Sequence, residues 1–415
     1  MNGFLTATEA AKRLGIRKET LYAYVSRGLV SSMQSRDGRS RLYRQADIEK
    51  LEQRKDQRRR PGKVLQEALS FGAPLLESSL TLIEGGRFYY RGRDAIRLSR
   101  QKGLEAVAEL LWIPPGEADS APLFEAAGPL PTEALMVLDT RPKPWALETL
   151  QMVVPLLGVH EKRGWGTTRR RETARAGARL LQHLVGCAVY PHALDEAQDG
   201  EQVGLAHRLA AAWAPDRPEA TELLDVALVL LADHELNVSS FTARCVASAG
   251  SPVYSAVSAG LAALQGSRHG GHTRRIEALL REAGEPDGVW EVFEDRRRRG
   301  EDVPGFGQVL YPDGDPRYLE LRRRIEDAFP GSEALEWADA LEKAGSELLA
   351  EHPTVDIGLA LTARALGLPR DSALTLFALG RTVGWIGHAL EQYAEDRLIR
   401  PRARYTGPAP TADGP

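Results

Sequence analysis

Cysteine is scarce: only Cys187 and Cys245 occur in 415 residues. Two thiols by themselves supply neither a disulfide framework nor the four ligands of a zinc site. They are expected as buried free thiols. No apolar run approaches the ~20 residues that cross a bilayer, so no membrane-spanning helix is expected. The N-terminus, MNGFLTATEAAKRLG, has no apolar signal core and reads as cytoplasmic. No GxGxxG or P-loop signature follows a strand pattern, so nucleotide folds of those kinds are not expected. No strong charge imbalance marks the whole chain, whose net charge is −3. That value hides an asymmetry. Residues 1–60 hold 15 Lys or Arg against 7 Asp or Glu, a balance of +8, and the remainder therefore carries −11. A basic head on an acidic body is expected to meet a polyanion. With 43% apolar and 27% charged residues the chain is globular, and its length calls for two or three domains.

Residues 1–60 read as a separate unit. Thr6 caps a first helix, with Glu9 as its capping-box partner. Ala10, Ala11 and Leu14 form its apolar face, and Gly15 ends it. Ile16 then packs inward, and a second helix spans about 18–27 with Leu21, Tyr24 and Val25 inside. The segment SRDGRSRLYR (35–44) carries the hairpin signal Asp37-Gly38 with Arg36, Arg39, Arg41 and Arg44 around it. A third helix is expected from about Asp47. This pattern resembles the winged helix-turn-helix of the MerR and excisionase type. The resemblance places Arg17, Lys18, Thr20 and Tyr22 on or beside a recognition helix for the major groove. It places Arg36, Arg39 and Arg41 in a wing that holds phosphates or probes the minor groove. DNA is thus an expected partner. Pro61-Gly62 marks a linker over 61–74.

Beyond the linker the pattern is mainly α. Leu/Ala-rich stretches at helical spacing run over 104–112, 174–189, 204–213, 221–233, 253–265, 334–350 and 371–393. One strand pair is expected in 79–91, around Gly85-Gly86. The residues GPAPTADGP at the end of the chain read as a flexible tail. RRR at 169–171 and RRRR at 296–299 read as solvated helix faces, and the histidines show no metal-ligand spacing, so no metal is expected.

Three stretches carry chemistry: DHELNVS (233–239), RHGG (268–271) and PTVDIGLAL (353–361). They supply two histidines and an aspartate in Gly- or Pro-marked settings. A carboxylate base with neutral imidazoles is the equipment for removing a proton from a carbon beside a carbonyl. With ESSLTLIEGGRFYYRGRDAIRL (77–98), VPGFGQVLYPDGDPR (303–317), GRTVGWIGHALEQ (380–392) and RPRARYTG (400–407), they resemble citrate synthase in order and spacing over residues ~75–407.

The resemblance implies a two-domain helical fold. Its large domain would span 75–265 and 371–407, its small domain 266–370, and a tail 408–415. It implies a homodimer and a cleft that binds oxaloacetate and acetyl-CoA, or a related acyl-CoA, as co-substrate, with no tightly bound cofactor. Asp356 would be the base, and His269 would stabilise the enolate. His234, Arg317 and Arg381 would hold oxaloacetate, together with Arg400 reaching across the dimer. Gly305 and Gly307 would wrap coenzyme A through their main chain. His388 follows Arg381 in the same segment without an assigned role.

Two positions depart from that pattern. Gln308 stands where a third histidine is expected, and a carboxamide donates a hydrogen bond but delivers no proton near neutral pH. His272 stands in GGHT where GGAN is common. The first expectation is a condensing enzyme with a DNA-binding head, Gln308 being counted among its catalytic residues. The alternative is a ligand-sensing transcriptional regulator with little or no turnover.

Overall fold

The computed structural model describes residues 4–14, 16, 18–26, 30–34, 41–45, 47–48, 76–116, 121–140, 147–161, 170–191 and 203–408. It divides into two compact units, Met1–Glu77 and Ser78–Pro415. Linker 61–74, the Asp37-Gly38 turn, Gly15, Arg17, Arg36 and Arg39 lie outside the described residues.

In the first unit, helix Ala7–Leu14 opens on the expected capping box. Thr6 N–H and Oγ1 both donate to Glu9 Oε2 at 2.8 Å, and Glu9 N–H returns to Thr6 Oγ1 at 3.3 Å. The second helix is Lys18–Ser26. Strands Ser32–Gln34 and Arg41–Arg44 pair antiparallel, with Gln34 opposite Arg41. A third strand, Phe4–Thr6, adds to the other edge of Arg41–Arg44, a pairing the sequence did not suggest. Ala10, Ala11, Leu14, Leu21, Val30, Tyr43 and Ile48 close a small core. Lys18, Tyr22 and Arg41 are exposed, with half of Tyr22 open to solvent, while Thr20 is half-buried.

The second unit is helical apart from a three-stranded meander: Thr81–Glu84, Arg87–Tyr90 and Arg93–Asp94. Gly85 and Gly86 turn its first hairpin with φ +61° and +72°, values that favour glycine. Helix Ser372–Glu395 runs through the middle, about 36 Å long, with nearly every residue buried. Its small residues let neighbours approach. A Cβ at Gly384 would fall under 3.0 Å from Asp233 and Ala232, so the turn after helix Ala220–Leu231 lies directly on the central helix. That contact sets His234 close to Arg381.

The stretch expected as one helix over 334–350 is instead helix Glu333–Ala344 followed by a π turn, Gly345–Leu349, stopped at Ala350 with φ +55°. Cys187 is buried as expected, whereas Cys245 is half-buried. Among the described residues no helix is long and apolar enough to cross a membrane.

Candidate active site

His234 follows the buried end of an apolar helix and is itself buried. Its Nε2 lies 2.9 Å from the Tyr311 hydroxyl. Burial, then the charges of Arg317 and Arg381, push its pKa well below the usual imidazole range, so the ring is neutral. Beneath it, Asp233 is fully buried, with Thr81 Oγ1 donating to Oδ2 and His388 Nε2 3.3 Å from Oδ1. His388 therefore belongs to the support under this turn.

Arg381 comes from the central helix and is 1% exposed. Its Nε–H donates to the Leu231 carbonyl at 2.9 Å, and its guanidinium lies 5.0 Å from the centre of the Phe377 ring. Nη2 is buried without a partner among the described residues. Burial pulls its pKa down to about 10, only partly offset by Asp233. A buried cation with an open donor edge is suited to receive an anionic group.

Arg317 is bound differently. Asp315 caps helix Pro316–Ala328 through the Arg317 N–H and takes Nε and Nη2 at 2.9 and 2.8 Å. Burial alone would lower the Arg317 pKa, but this carboxylate more than offsets it. The second Asp315 oxygen also accepts the Val355 N–H at 3.0 Å, joining this helix to helix Val355–Leu366. Arg317 lies 5.6 Å from the centre of the Tyr311 ring, beside His234.

Asp356 sits in the first turn of Val355–Leu366, where the helix N-terminus favours negative charge. Thr273 donates to Oδ1 at 3.1 Å, and Thr354 Oγ1 lies 3.4 Å from Oδ2. Burial raises its pKa against the opposing pull of Arg317 and the Thr273 hydroxyl, leaving a carboxylate more basic than usual.

His269 is half-buried, edge-on to Phe377. Its Nε2 lies 2.8 Å from Ser239 Oγ, which also receives the Trp385 indole N–H at 3.0 Å and lies 2.8 Å from Asn237 Oδ1. Indole can only donate, so the serine hydroxyl proton is left for Asn237 or for His269. When it goes to His269 Nε2, the ring hydrogen sits on Nδ1, ready to donate to a ligand oxygen. Burial, then the charge of Arg381, lowers the His269 pKa to about 4. The imidazole is thus neutral at physiological pH.

The electrostatics place these groups in one neighbourhood. Arg381 acts on both histidines, and Asp356 acts on Arg317 and Arg381. Gln308 is half-buried, and its main-chain carbonyl accepts the N–H of Tyr311, the partner of His234, at 2.8 Å. Gly305 and Gly307 have φ +94° and +73° and are stitched to Thr354 and His352. Arg400 stands apart, exposed on a segment without secondary structure after the central helix. Among the described residues no group of three His, Cys, Asp or Glu side chains is placed to hold a metal.

Sequence reasoning did not find Asn237, Ser239, Tyr311, Asp315 or Trp385. Asn237 and Asp315 left readable traces, each as a helix N-cap whose side chain accepts an N–H of the first turn. Ser239, Tyr311 and Trp385 meet His269, His234 and Ser239 across tens of residues.

Known proteins resemble this chain over most of its length. Residues 70–402 match the family described as "Citrate synthase, C-terminal domain", and residues 4–56 match "Helix-turn-helix domain". A citrate synthase of Haloferax volcanii is 33% identical over 81% of this chain and 94% of its own. Citrate synthase 2 of Bacillus subtilis is 30% identical over 81% and 95%. Among solved structures, citrate synthase from Thermotoga maritima superposes with a TM-score of 0.68 at 28% identity, covering 83% of this chain and 96% of that one. The ternary complex of carboxymethyl coenzyme A and oxaloacetate with citrate synthase from Thermoplasma acidophilum gives 0.69 at 26% identity, covering 83% and 96%.

Proposed function

Since the chain belongs to the citrate synthase family, we propose that it condenses acetyl-CoA, or a related acyl-CoA, with oxaloacetate to give citrate and free CoA. Asp356 removes a methyl proton, and the His269 N–H holds the enolate oxygen that forms. The enolate carbon attacks the ketone of oxaloacetate, which His234, Arg317 and Arg381 hold by its carboxylates and ketone. Water then cleaves the thioester, releasing citrate and the CoA thiol. The observation that carries this reading is the Arg381 guanidinium, buried with Nη2 unpartnered among the described residues, beside two neutral histidines and a basic carboxylate.

Gln308 donates its amide N–H to the ketone oxygen and supplies no proton, so the alkoxide takes its proton from water. Loss of general-acid help slows such a step by roughly 10²–10⁴. Gln308→His is therefore expected to speed thiol release from acetyl-CoA. A native chain without turnover beside an active variant would point to a sensor of these ligands instead.

The working protein is proposed as a cytoplasmic homodimer, with large-domain segments 75–265 and 371–407 around a small domain, 266–370. Arg400 would complete the partner's carboxylate clamp. In support, it is exposed on a segment without secondary structure and makes no described contact to Arg317 or Arg381. Gly305 and Gly307 would face CoA with their main chain. The head would bind DNA through Arg17, Lys18, Thr20 and Tyr22 and through Arg36, Arg39 and Arg41, a dimer offering two heads to two half-sites.

A further inference from the structure

The imidazole of His272 has no part in the chemistry above, yet it is bonded into the loop beside Asp356's segment. Its Nε2 accepts the Gly305 N–H at 2.8 Å. On the opposite side, the Gly305 carbonyl accepts the Thr354 N–H at 2.8 Å, and the Gly307 N–H reaches the His352 carbonyl at 3.1 Å. Phe306 bridges antiparallel to Pro353. The loop 305–307 is thus zipped to the segment that leads into Asp356. His272 ties the same loop to the start of helix Gly271–Ala283, immediately after His269. The circuit closes through its neighbour Thr273, whose hydroxyl donates to Asp356 at 3.1 Å.

Gly305 sits tightly in this knot. A Cβ there would fall under 3.0 Å from Ile357 and Ile276, and its φ of +94° suits glycine. Its amide needs an acceptor at that point. Neutral imidazole provides one, whereas the alanine common in the GGAN pattern has no side-chain acceptor.

We propose that His272 is a positioning residue, which fixes the separation of Asp356 from His269 by holding the Gly305 amide between their two segments. This rests on the condensing reading given above. The role requires an acceptor and not a titrating ring, so glutamine, whose carbonyl oxygen has similar reach, should substitute.

The test is exchange of acetyl-CoA methyl protons in D₂O, with malate filling the dicarboxylate site because it has no ketone to react. His272→Ala is expected to slow exchange and kcat roughly tenfold, the scale of one positioning hydrogen bond. The KM for oxaloacetate should stay within about twofold, and His272→Gln should recover most of the exchange rate. Exchange at the native rate in His272→Ala, or a glutamine variant as slow as the alanine one, overturns the role. A loss of oxaloacetate affinity parallel to kcat also overturns it, since that marks general disruption. A native chain with neither exchange nor turnover removes the condensing reading and this role together, a result distinct from the other three.

Discussion

Arg381→Met removes a guanidinium while keeping a long side chain in the space it fills. Burial pulls the Arg381 pKa down to about 10, so its surroundings disfavour the charge by a few kcal/mol. Removing the cation relieves that cost. It also strands the Leu231 carbonyl, now bonded at 2.9 Å, which costs about 1–3 kcal/mol. The contact over Phe377 contributes about 1 kcal/mol more. These effects nearly cancel, so the ligand-free variant should melt within a few degrees of the native protein. Binding behaves differently. Truncating one member of a buried charged pair costs about 2–5 kcal/mol, which weakens oxaloacetate binding roughly 30-fold to several-thousand-fold. Thermal melts with and without oxaloacetate separate the two quantities. The ligand-induced rise in Tm should vanish in the variant while the ligand-free Tm hardly moves. A variant that melts far lower without ligand, yet is still stabilised by oxaloacetate, would refute the reasoning and make Arg381 a structural residue.

Gly384→Ala places a Cβ under 3.0 Å from Asp233 and Ala232. It should destabilise by about 1–3 kcal/mol and weaken oxaloacetate binding by displacing His234, as denaturant melts and titration would measure. Burial raises the Asp225 pKa to about 6 against the Leu104 N–H bond that lowers it. The native state therefore holds this proton more tightly than the unfolded chain, and stability gains as pH falls from 7 through 6. Asp225→Asn keeps the acceptor for the Leu104 N–H and removes the charge. It should stabilise at pH 8 by roughly 1–3 kcal/mol and change little at pH 4 in paired denaturant melts. In the head, Lys18→Ala and Arg41→Ala should each lower the salt slope of DNA binding by about one in gel shifts, and deletion of residues 1–60 should abolish the shift.

The sequence disclosed those parts of the site that lie within short motifs. The resemblance carried by DHELNVS, RHGG, the DPR loop, PTVDIGLAL and GRTVGWIGHALEQ singled out His234, His269, Arg317, Asp356 and Arg381 as one group, which local pattern alone does not do. Gly85-Gly86 marked the hairpin for a local reason, the turn chemistry of glycine. What stayed hidden depends on distance along the chain. Tyr311 reaches His234, Trp385 reaches Ser239, and Asp315 reaches Val355, and none of these pairs leaves a periodic trace. The head's first strand, Phe4–Thr6, is too short to show alternation and exists only by pairing with Arg41–Arg44. The π turn at Gly345–Leu349 likewise follows from tertiary crowding, since a Cβ at Gly345 would fall under 3.0 Å from Phe306.

Formation of the carbon–carbon bond is tested most directly with acetyl-CoA labelled with ¹³C at the methyl. The native chain is incubated with this thioester and oxaloacetate, and the products are read by NMR. The label should appear in a methylene of citrate, and its appearance should cease in Asp356→Asn. Label found only in unreacted thioester or in free acetate would contradict the account.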